Sequence, residues 1–155
     1  MAKKTSAGLL MYHFKDQKLH VFLAHMGGPY YKNKDDGYWG IPKGEQHDNE
    51  DIFETAKREF LEETGISVQE KDFLELGFVK TASGRIVHMW AFEDGTFDPA
   101  KMICNTFALE WPPKSGKIQE FPENDRGDYF PLETAFKKIL KGEEEFLKRL
   151  EKFLF

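Results

Sequence analysis

Residues 44–66 read GEQHDNEDIFETAKREFLEETGI. Within this stretch, residues 50–63 repeat apolar side chains at a spacing that places them on one side of a helix, and a glycine follows the last turn. The residues that carry this pattern are Ile52, Phe53, Ala56, Phe60 and Gly65. We therefore predict an amphipathic helix over 50–63 that ends before the glycine.

Three carboxylates, Glu59, Glu62 and Glu63, project from one side of the last turn of this helix, partly toward its apolar face. Such a cluster is costly, because the carboxylates repel one another and the C-terminal end of the helix dipole disfavours negative charge by about 0.3–1 kcal/mol each. A divalent cation would offset these costs, and oxygen ligands without His or Cys favour a hard ion, Mg²⁺ or Mn²⁺. For the helix taken alone, the alternative is a solvated acidic face that pairs with Lys57 and Arg58.

The spacing of the glycines around the helix favours the metal interpretation. The stretch resembles the Nudix box, G-x5-E-x7-R-E-U-x-E-E-x-G-U, in which U is an apolar residue. All seven fixed positions of the box match, at Gly44, Glu50, Arg58, Glu59, Glu62, Glu63 and Gly65. Phe60 stands where the family more often has Ile, Leu or Val, and it still supplies an apolar side chain for the core.

The resemblance implies an activity and a set of roles. Nudix enzymes hydrolyse a nucleoside diphosphate linked to another moiety, with Mg²⁺ ions held by the box glutamates. By position, the three glutamates of the last turn would be metal ligands, together with the carbonyl of Gly44, since a glycine lets the loop backbone approach the ion. Arg58 and Glu50 would orient the acidic cluster.

The rest of the chain predicts strands and helices around the box. The β-prone stretches are 6–13, 18–25, 73–80, 86–92 and 106–111, and helical spacing recurs over 132–140 and 143–155. Residues 15–17 have the length of a hairpin turn, and 26–44 and 112–116 are predicted loops.

The chain shows no internal repeat or linker, so residues 1–155 are predicted to form one domain. This order, together with the resemblance, predicts an α/β/α sandwich. Its mixed, curled sheet would carry the box helix on one face and the 132–141 helix on the other.

The loop before the box supplies candidate substrate-binding residues. Lys32, Lys34 and Lys43 are cations that could clamp a polyphosphate. Lys43 is the first candidate, because the Trp-x-x-Pro-Lys-Gly run is similar to that of members that hydrolyse dinucleoside polyphosphates and (deoxy)NTPs. Aromatic residues of the same loop could stack a base: Tyr30, Tyr31, Tyr38 and Trp39. For Trp39, the core is the favoured alternative.

Candidate residues outside the box are fewer. Nudix enzymes often use a further acid as ligand or base, and Glu120 and Glu123 are the candidates in the acidic stretch 119–125; a solvated loop is the alternative. His47 occupies a variable position of the box, and the other four histidines lie on predicted strands without ligand spacing, so none is expected to be catalytic. The stretch 143–155 is predicted to be a docking helix, in preference to a membrane anchor. A homodimer that uses this surface is an alternative to a monomer.

Composition excludes several classes of protein. The 155 residues are 40% hydrophobic, enough for a core. The 22 basic and 27 acidic residues give a net charge of −5, which argues against a protein that mainly holds a nucleic-acid backbone. The one cysteine, Cys104, forms no intramolecular disulfide, and no apolar run approaches the ~20 residues of a membrane span. We therefore expect a soluble, cytoplasmic protein.

The sequence thus predicts a Mg²⁺-dependent pyrophosphohydrolase whose substrate is a small nucleotide, either a dinucleoside polyphosphate or a (d)NTP. An RNA 5′-end pyrophosphohydrolase is an alternative that the net negative charge weakens. A nucleotide-sensing module that binds without hydrolysis is a second alternative, which the intact set of glutamates disfavours.

Overall fold

The computed structural model describes residues 4–69 and 72–155. Its strands are β1 (Thr5–Lys15), β2 (Lys18–Met26), β3 (Trp39–Gly40), β4 (Lys43–Glu45), β5 (Leu74–Lys80), β6 (Ile86–Glu93), β7 (Thr106–Glu110), β8 (Ile118–Pro122) and β9 (Asn124–Pro131). Its helices are α1 (Ile52–Thr64), α2 (Leu132–Lys138) and α3 (Glu144–Leu154), with 3₁₀ turns at Pro99–Lys101 and Lys141–Glu143. None of the helices in the described ranges has the length and apolar composition needed to cross a bilayer.

A mixed sheet forms the middle layer. β1 is central: it pairs in parallel with β6 and antiparallel with β2 and β4. β5 extends the sheet beyond β6, while β3 and β9 both pair with β2. β7 and β8 form a separate two-stranded hairpin. The β1–β2 turn consists of Asp16 and Gln17, whose φ angles of 53° and 66° suit the tight two-residue turns that join twisted strands.

Side chains that alternate along β1 divide the core between the two faces of the sheet. Leu9 and Met11 belong to the cluster under α1, which includes Phe60. Leu10 and Tyr12 belong to the cluster on the opposite face, which takes its helical residues from α2 and α3. The predicted α/β/α sandwich, with the box helix on one face and the 132–141 helix on the other, is therefore confirmed.

Local signals set the ends of α1. The carboxylate of Asp51 accepts the backbone N–H groups of Phe53 and Glu54 at 3.1 and 3.3 Å, which satisfies donors at the start of the helix. Gly65 ends it with a φ of 81°, and its N–H donates to the carbonyl of Leu61 at 2.8 Å. The acidic last turn is thereby fixed directly in front of this glycine.

Three segments differ from the prediction. The predicted loop 26–44 contains β3 and the start of β4, because short polar and glycine-rich segments here pair with β2 and β1. The acidic stretch 119–125 belongs to β8 and β9. The polar first half of β9 is a strand because its backbone pairs with β2, while Tyr129 and Phe130 at its end pack against the core. The helix predicted over 132–140 ends at Lys138, since Ile139 is extended, with φ −73° and ψ 147°.

Candidate active site

β4 and α1 bring the two halves of the box into contact. Gly44 pairs with Ala7 of β1, on the side of the sheet that α1 approaches. Its Cα lies so close to Glu59 that a Cβ built at residue 44 would overlap the carboxylate. With Glu59 in this position, only a glycine fits at the start of the box.

Arg58 connects three of the four fixed glutamates of the box, Glu50, Glu59 and Glu62. Its Nε and Nη2 donate to Glu50 at 2.7 and 3.0 Å, and Nη1 donates to Glu59 at 2.8 Å and to Glu62 at 3.1 Å. The hydrogen bonds from Arg58, helped by one from Thr55, lower the pKa of Glu50 to about 2. Such a network would fix the directions of the carboxylates, which is the role predicted for Arg58 and Glu50.

Two of the glutamates are held in surroundings that disfavour their charge. Glu63 accepts the backbone N–H of Lys43 at 2.9 Å, and burial raises the pKa of Glu63 to about 8, opposed by the attraction of the Lys43 ammonium. Burial is also the main cause that raises the pKa of Glu59, although the hydrogen bond from Arg58 lowers it. A nearby cation would therefore stabilise the charged form of both carboxylates.

The chemistry of the donors fits a hard divalent cation. Glu59, Glu62 and Glu63 offer carboxylate oxygens to one cavity, and the carboxylate of Glu59 lies directly against the backbone of Gly44. Within residues 4–69 and 72–155, however, no three His, Cys, Asp or Glu side chains converge in an arrangement that would hold a metal. Arg58 donates hydrogen bonds to Glu59 and Glu62, so the guanidinium occupies part of the accepting capacity of these two carboxylates.

Glu59, Glu62 and Glu63 line a cavity of about 450 Å³. Glu45 and Lys43 of β4 contribute to the same lining. Three further lining residues lie outside the box: Asn105, Thr106 and Glu123. Backbone hydrogen bonds fix this second part of the lining, since the Asn105 N–H donates to the carbonyl of Glu62 at 2.9 Å and the Glu123 N–H donates to the carbonyl of Asn105 at 2.8 Å.

The cavity separates the two acidic candidates outside the box. Glu123 belongs to its lining, whereas Glu120 is an exposed residue of β8, opposite Ala108, and is not part of that lining. Sequence reasoning missed Asn105 and Thr106. They are single polar residues at the start of a strand, and no spacing relates them to the box.

Lys43 lines the cavity, but its ammonium is already paired. The Nζ atom lies 3.0 Å from the carboxylate of Glu143, and the attraction of Glu143 is the main cause that raises the pKa of Lys43. Sequence reasoning also missed Glu143, since one glutamate among several before α3 carries no distinguishing signal. The structure thus gives the ammonium of Lys43 a protein partner in place of a free position at the cavity.

Trp39 lies in the core. It is 5% exposed, its Nε1 donates to Asp35 at 2.9 Å, and its ring is flanked by Phe130 at 4.9 Å and the guanidinium of Arg126 at 5.1 Å. This burial leaves no open ring face, so we drop Trp39 as a base-stacking candidate. Tyr38, the next aromatic residue, is half-buried.

The other loop candidates do not belong to the cavity lining. Lys32 and Lys34 are exposed, in the loop between β2 and β3. The loop is tethered by the buried His25, whose Nε2 donates to the carbonyl of Lys34 at 2.6 Å and whose Nδ1 lies 2.8 Å from Asp125. Of the other loop aromatics, Tyr30 is exposed and Tyr31 is half-buried.

Comparison with known proteins adds the family. The family model that matches residues 2–150 is described as NUDIX domain. The fold is similar to the NUDIX domain of Shewanella oneidensis NrtR complexed with ADP ribose, at 15% identity and a TM-score of 0.67, covering 100% of this chain and 90% of that one. It is also similar to a C. elegans Ap4A hydrolase binary complex, at 21% identity and a TM-score of 0.66, covering 96% and 97%.

A third similar structure is a mutT/nudix family protein from Listeria innocua, at 16% identity and a TM-score of 0.65, covering 99% of this chain and 95% of that one. Identities this low establish a common fold. Among curated proteins, no sequence matches the chain.

Proposed function

Because this chain belongs to the NUDIX domain family, we propose that it is a Mg²⁺-dependent hydrolase of a phosphoanhydride bond in a nucleoside polyphosphate. The substrates proposed are a dinucleoside polyphosphate or a (d)NTP. One observation carries the proposal: Glu59, Glu62 and Glu63 line a single cavity with Gly44 and with the polar residues Asn105, Thr106 and Glu123. Its volume, about 450 Å³, lies in the range of small-ligand sites.

In this proposal, Glu59, Glu62, Glu63 and the carbonyl of Gly44 hold the Mg²⁺, for which Mn²⁺ is a substitute. The bound ion would neutralise phosphate oxygens and lower the pKa of the attacking water. Arg58 acts one step away, because its hydrogen bonds to Glu59 and Glu62 limit the directions in which these carboxylates can turn. Glu50 holds Arg58 in turn.

Residues outside the box have separate proposed roles. Glu123 is the proposed general base, since it is the acidic residue outside the box that belongs to the lining, and a carboxylate can accept a proton from the attacking water. The amide of Asn105 and the hydroxyl of Thr106 can donate hydrogen bonds to phosphate oxygens. Lys32 and Lys34 lie in an exposed loop, and we propose that they bind the far end of the substrate's phosphate groups where these extend out of the cavity.

The charge of the protein supports a small substrate over RNA. With a net charge of −5, the chain offers few cations for a long polyanion, whereas a small nucleotide needs only a local site. The acidic cavity itself would attract a phosphate chain only with a metal in place. Activity is therefore expected to require a divalent cation.

A nucleotide panel tests the proposal. NTPs, dinucleoside polyphosphates, ADP-ribose, NADH and triphosphorylated RNA are incubated with the chain in Mg²⁺ or in EDTA, and released phosphate or pyrophosphate and the products are measured. Glu62→Gln should abolish the Mg²⁺-dependent release. Glu54→Gln is the matched control, since Glu54 lies on the same helix and pairs with Lys57 at 2.9 Å, outside the cavity. Rapid turnover of the RNA alone would favour the RNA alternative, and binding without turnover would favour the sensing module.

A further inference from the structure

Glu143 is a buried carboxylate outside the box that contacts the strand leading into it. Glu143 is 6% exposed to solvent. Its Oε1 accepts the backbone N–H of Ile41 at 2.8 Å, and its Oε2 lies 3.0 Å from Nζ of Lys43. Both oxygens are thus used on the residues that flank Pro42, which has no N–H of its own to offer.

The segment that carries Glu143 is itself attached to the same part of the chain. Ile139 forms a parallel bridge with Trp39, and the Leu140 N–H donates to the carbonyl of Trp39 at 2.7 Å. A 3₁₀ turn, Lys141–Glu143, follows directly. The extended segment after α2 therefore runs alongside β3 and places the Glu143 carboxylate against residues 41–43.

Residues 41–44 in turn contact the box glutamates. The Lys43 N–H donates to Glu63 at 2.9 Å, and Gly44 abuts the carboxylate of Glu59. A shift of this short segment would change the surroundings of both glutamates together. Glu143 thus contacts the segment 41–44, which in turn contacts two of the proposed metal ligands.

Electrostatics gives Glu143 a second effect. The ammonium of Lys43 is attracted by both Glu143 and Glu63, and the ion pair that it forms is with Glu143. Without a negative charge at residue 143, the remaining attraction would draw the ammonium toward Glu63. There it would compete with a divalent cation for the same carboxylate.

We infer that Glu143 is a positioning residue of the metal site: it fixes residues 41–44 against Glu59 and Glu63 and keeps the Lys43 ammonium away from the cation. The inference rests on the proposed function, because it takes the box glutamates as ligands of a divalent ion. It also assigns to the segment after α2 an indirect part in assembling the site, through residues 41–44.

Mn²⁺ binding tests this role without relying on turnover. The full chain is titrated with Mn²⁺, free ion is measured by electron paramagnetic resonance, and thermal unfolding is followed on the same samples. Glu143→Gln keeps the shape and an acceptor for the Ile41 N–H but removes the charge, and it should weaken Mn²⁺ binding about ten-fold. The double variant Glu143→Gln with Lys43→Met removes the competing ammonium as well, and it should recover affinity to within about three-fold of wild type. Glu151→Gln, on the exposed side of α3, should bind as wild type does.

A merely structural role predicts a different pattern. It would lower the unfolding temperature of both Glu143 variants without any recovery of Mn²⁺ affinity in the double variant. Unchanged affinity in Glu143→Gln, or no recovery in the double variant, overturns the inference. If Glu143→Gln does not fold, Glu143→Asp takes its place. It keeps the charge but is too short to reach both partners, so it should bind Mn²⁺ about three-fold more weakly, and wild-type affinity would overturn the inference.

The outcomes also separate this inference from the proposed function. A wild-type chain that binds Mn²⁺ but hydrolyses no nucleotide would contradict the proposed activity, while the comparison of the Glu143 variants would still decide the positioning role. A wild-type chain that binds no Mn²⁺ would overturn both.

Discussion

Gly44→Ala adds one methyl group at the closest contact of the proposed site. A Cβ at residue 44 would overlap the Glu59 carboxylate, and ordinary contact begins only at 3.4 Å, so the carboxylate must move by about 1 Å or more. It cannot move freely, because Arg58 holds it through a hydrogen bond of 2.8 Å. A misplacement of about 1 Å costs on the order of 100-fold in rate. We expect Gly44→Ala to lower kcat about 100-fold on whichever nucleotide the wild-type chain hydrolyses.

Stability should change far less than activity in this variant. The overlapping atoms belong to the end of a flexible side chain, and residue 44 does not adopt a left-handed conformation that would strain an alanine. The expected loss is about 1 kcal/mol, a decrease in Tm of about 2–4 °C for a chain of this length. Initial rates at saturating Mg²⁺ and thermal denaturation by circular dichroism measure the two effects.

The matched control for this variant is Gly142→Ala. A Cβ built at Gly142 meets nothing within 4 Å, so this substitution should leave the rate unchanged. Wild-type turnover in Gly44→Ala would contradict this prediction, because the Glu59 carboxylate would then have moved without an effect on the rate. An equal loss in Gly142→Ala would refute it too, since the effect would not come from the contact with Glu59.

Three further outcomes are expected. Glu63→Gln should lower the rate of Mg²⁺-dependent hydrolysis at least about 100-fold, because losing a metal ligand should cost more than losing a residue that only orients a ligand. The control Glu54→Gln should keep the wild-type rate. Equal rates in the two variants would exclude Glu63 as a ligand. The pKa of Glu50 falls from its ordinary value of 4.5 to about 2, so its stabilising effect is present above pH 4.5 and is lost as the pH falls toward 2. Urea unfolding at pH 7 and pH 3 should therefore show Glu50→Gln about 1 kcal/mol less stable than wild type at pH 7 and closer to it at pH 3, and a constant difference would contradict this. Burial, together with the neighbouring His20, lowers the pKa of His13 below its ordinary value of 6.5, so the contribution of neutral His13 to stability is complete above pH 6.5 and is lost as the pH falls below it. His13→Phe should therefore flatten the decrease in Tm between pH 7 and pH 5. An unchanged slope of Tm against pH would contradict this prediction.

Much of the fold could be predicted because it depends on local patterns. The strands 18–25 and 86–92 were found within one residue of their ends, as β2 and β6, since alternation and β-branched or aromatic content are properties of the strand itself. β9 could not be found in this way. Its residues Asp125, Arg126 and Asp128 are polar, and only the antiparallel pairing with β2 makes them a strand.

The same difference between local and long-range information applies to the candidate site. Gly44, Glu50 and Arg58 lie in one 23-residue stretch, where helical geometry relates Arg58 to Glu62 at i+4 and fixed loop length relates Gly44 to the helix. Asn105 reaches the site through one backbone hydrogen bond to Glu62, across more than 40 residues of chain. Periodicity carries no information about such a contact.

Lys43 and Glu143 show where sequence reasoning about charge stops. A lysine beside an acidic box predicts a phosphate ligand when its only known neighbours are those in the sequence. The contact between the Ile41 N–H and Glu143 spans 102 residues, and it places a buried carboxylate where the sequence shows none. Because a charge interacts most strongly with the nearest opposite charge in space, the ion pair with Glu143 changes Lys43 from a free cation into part of the scaffold that holds the box. The chemistry of the candidate site is therefore encoded locally, in the box, whereas its positioning depends on residues that only the tertiary fold brings near.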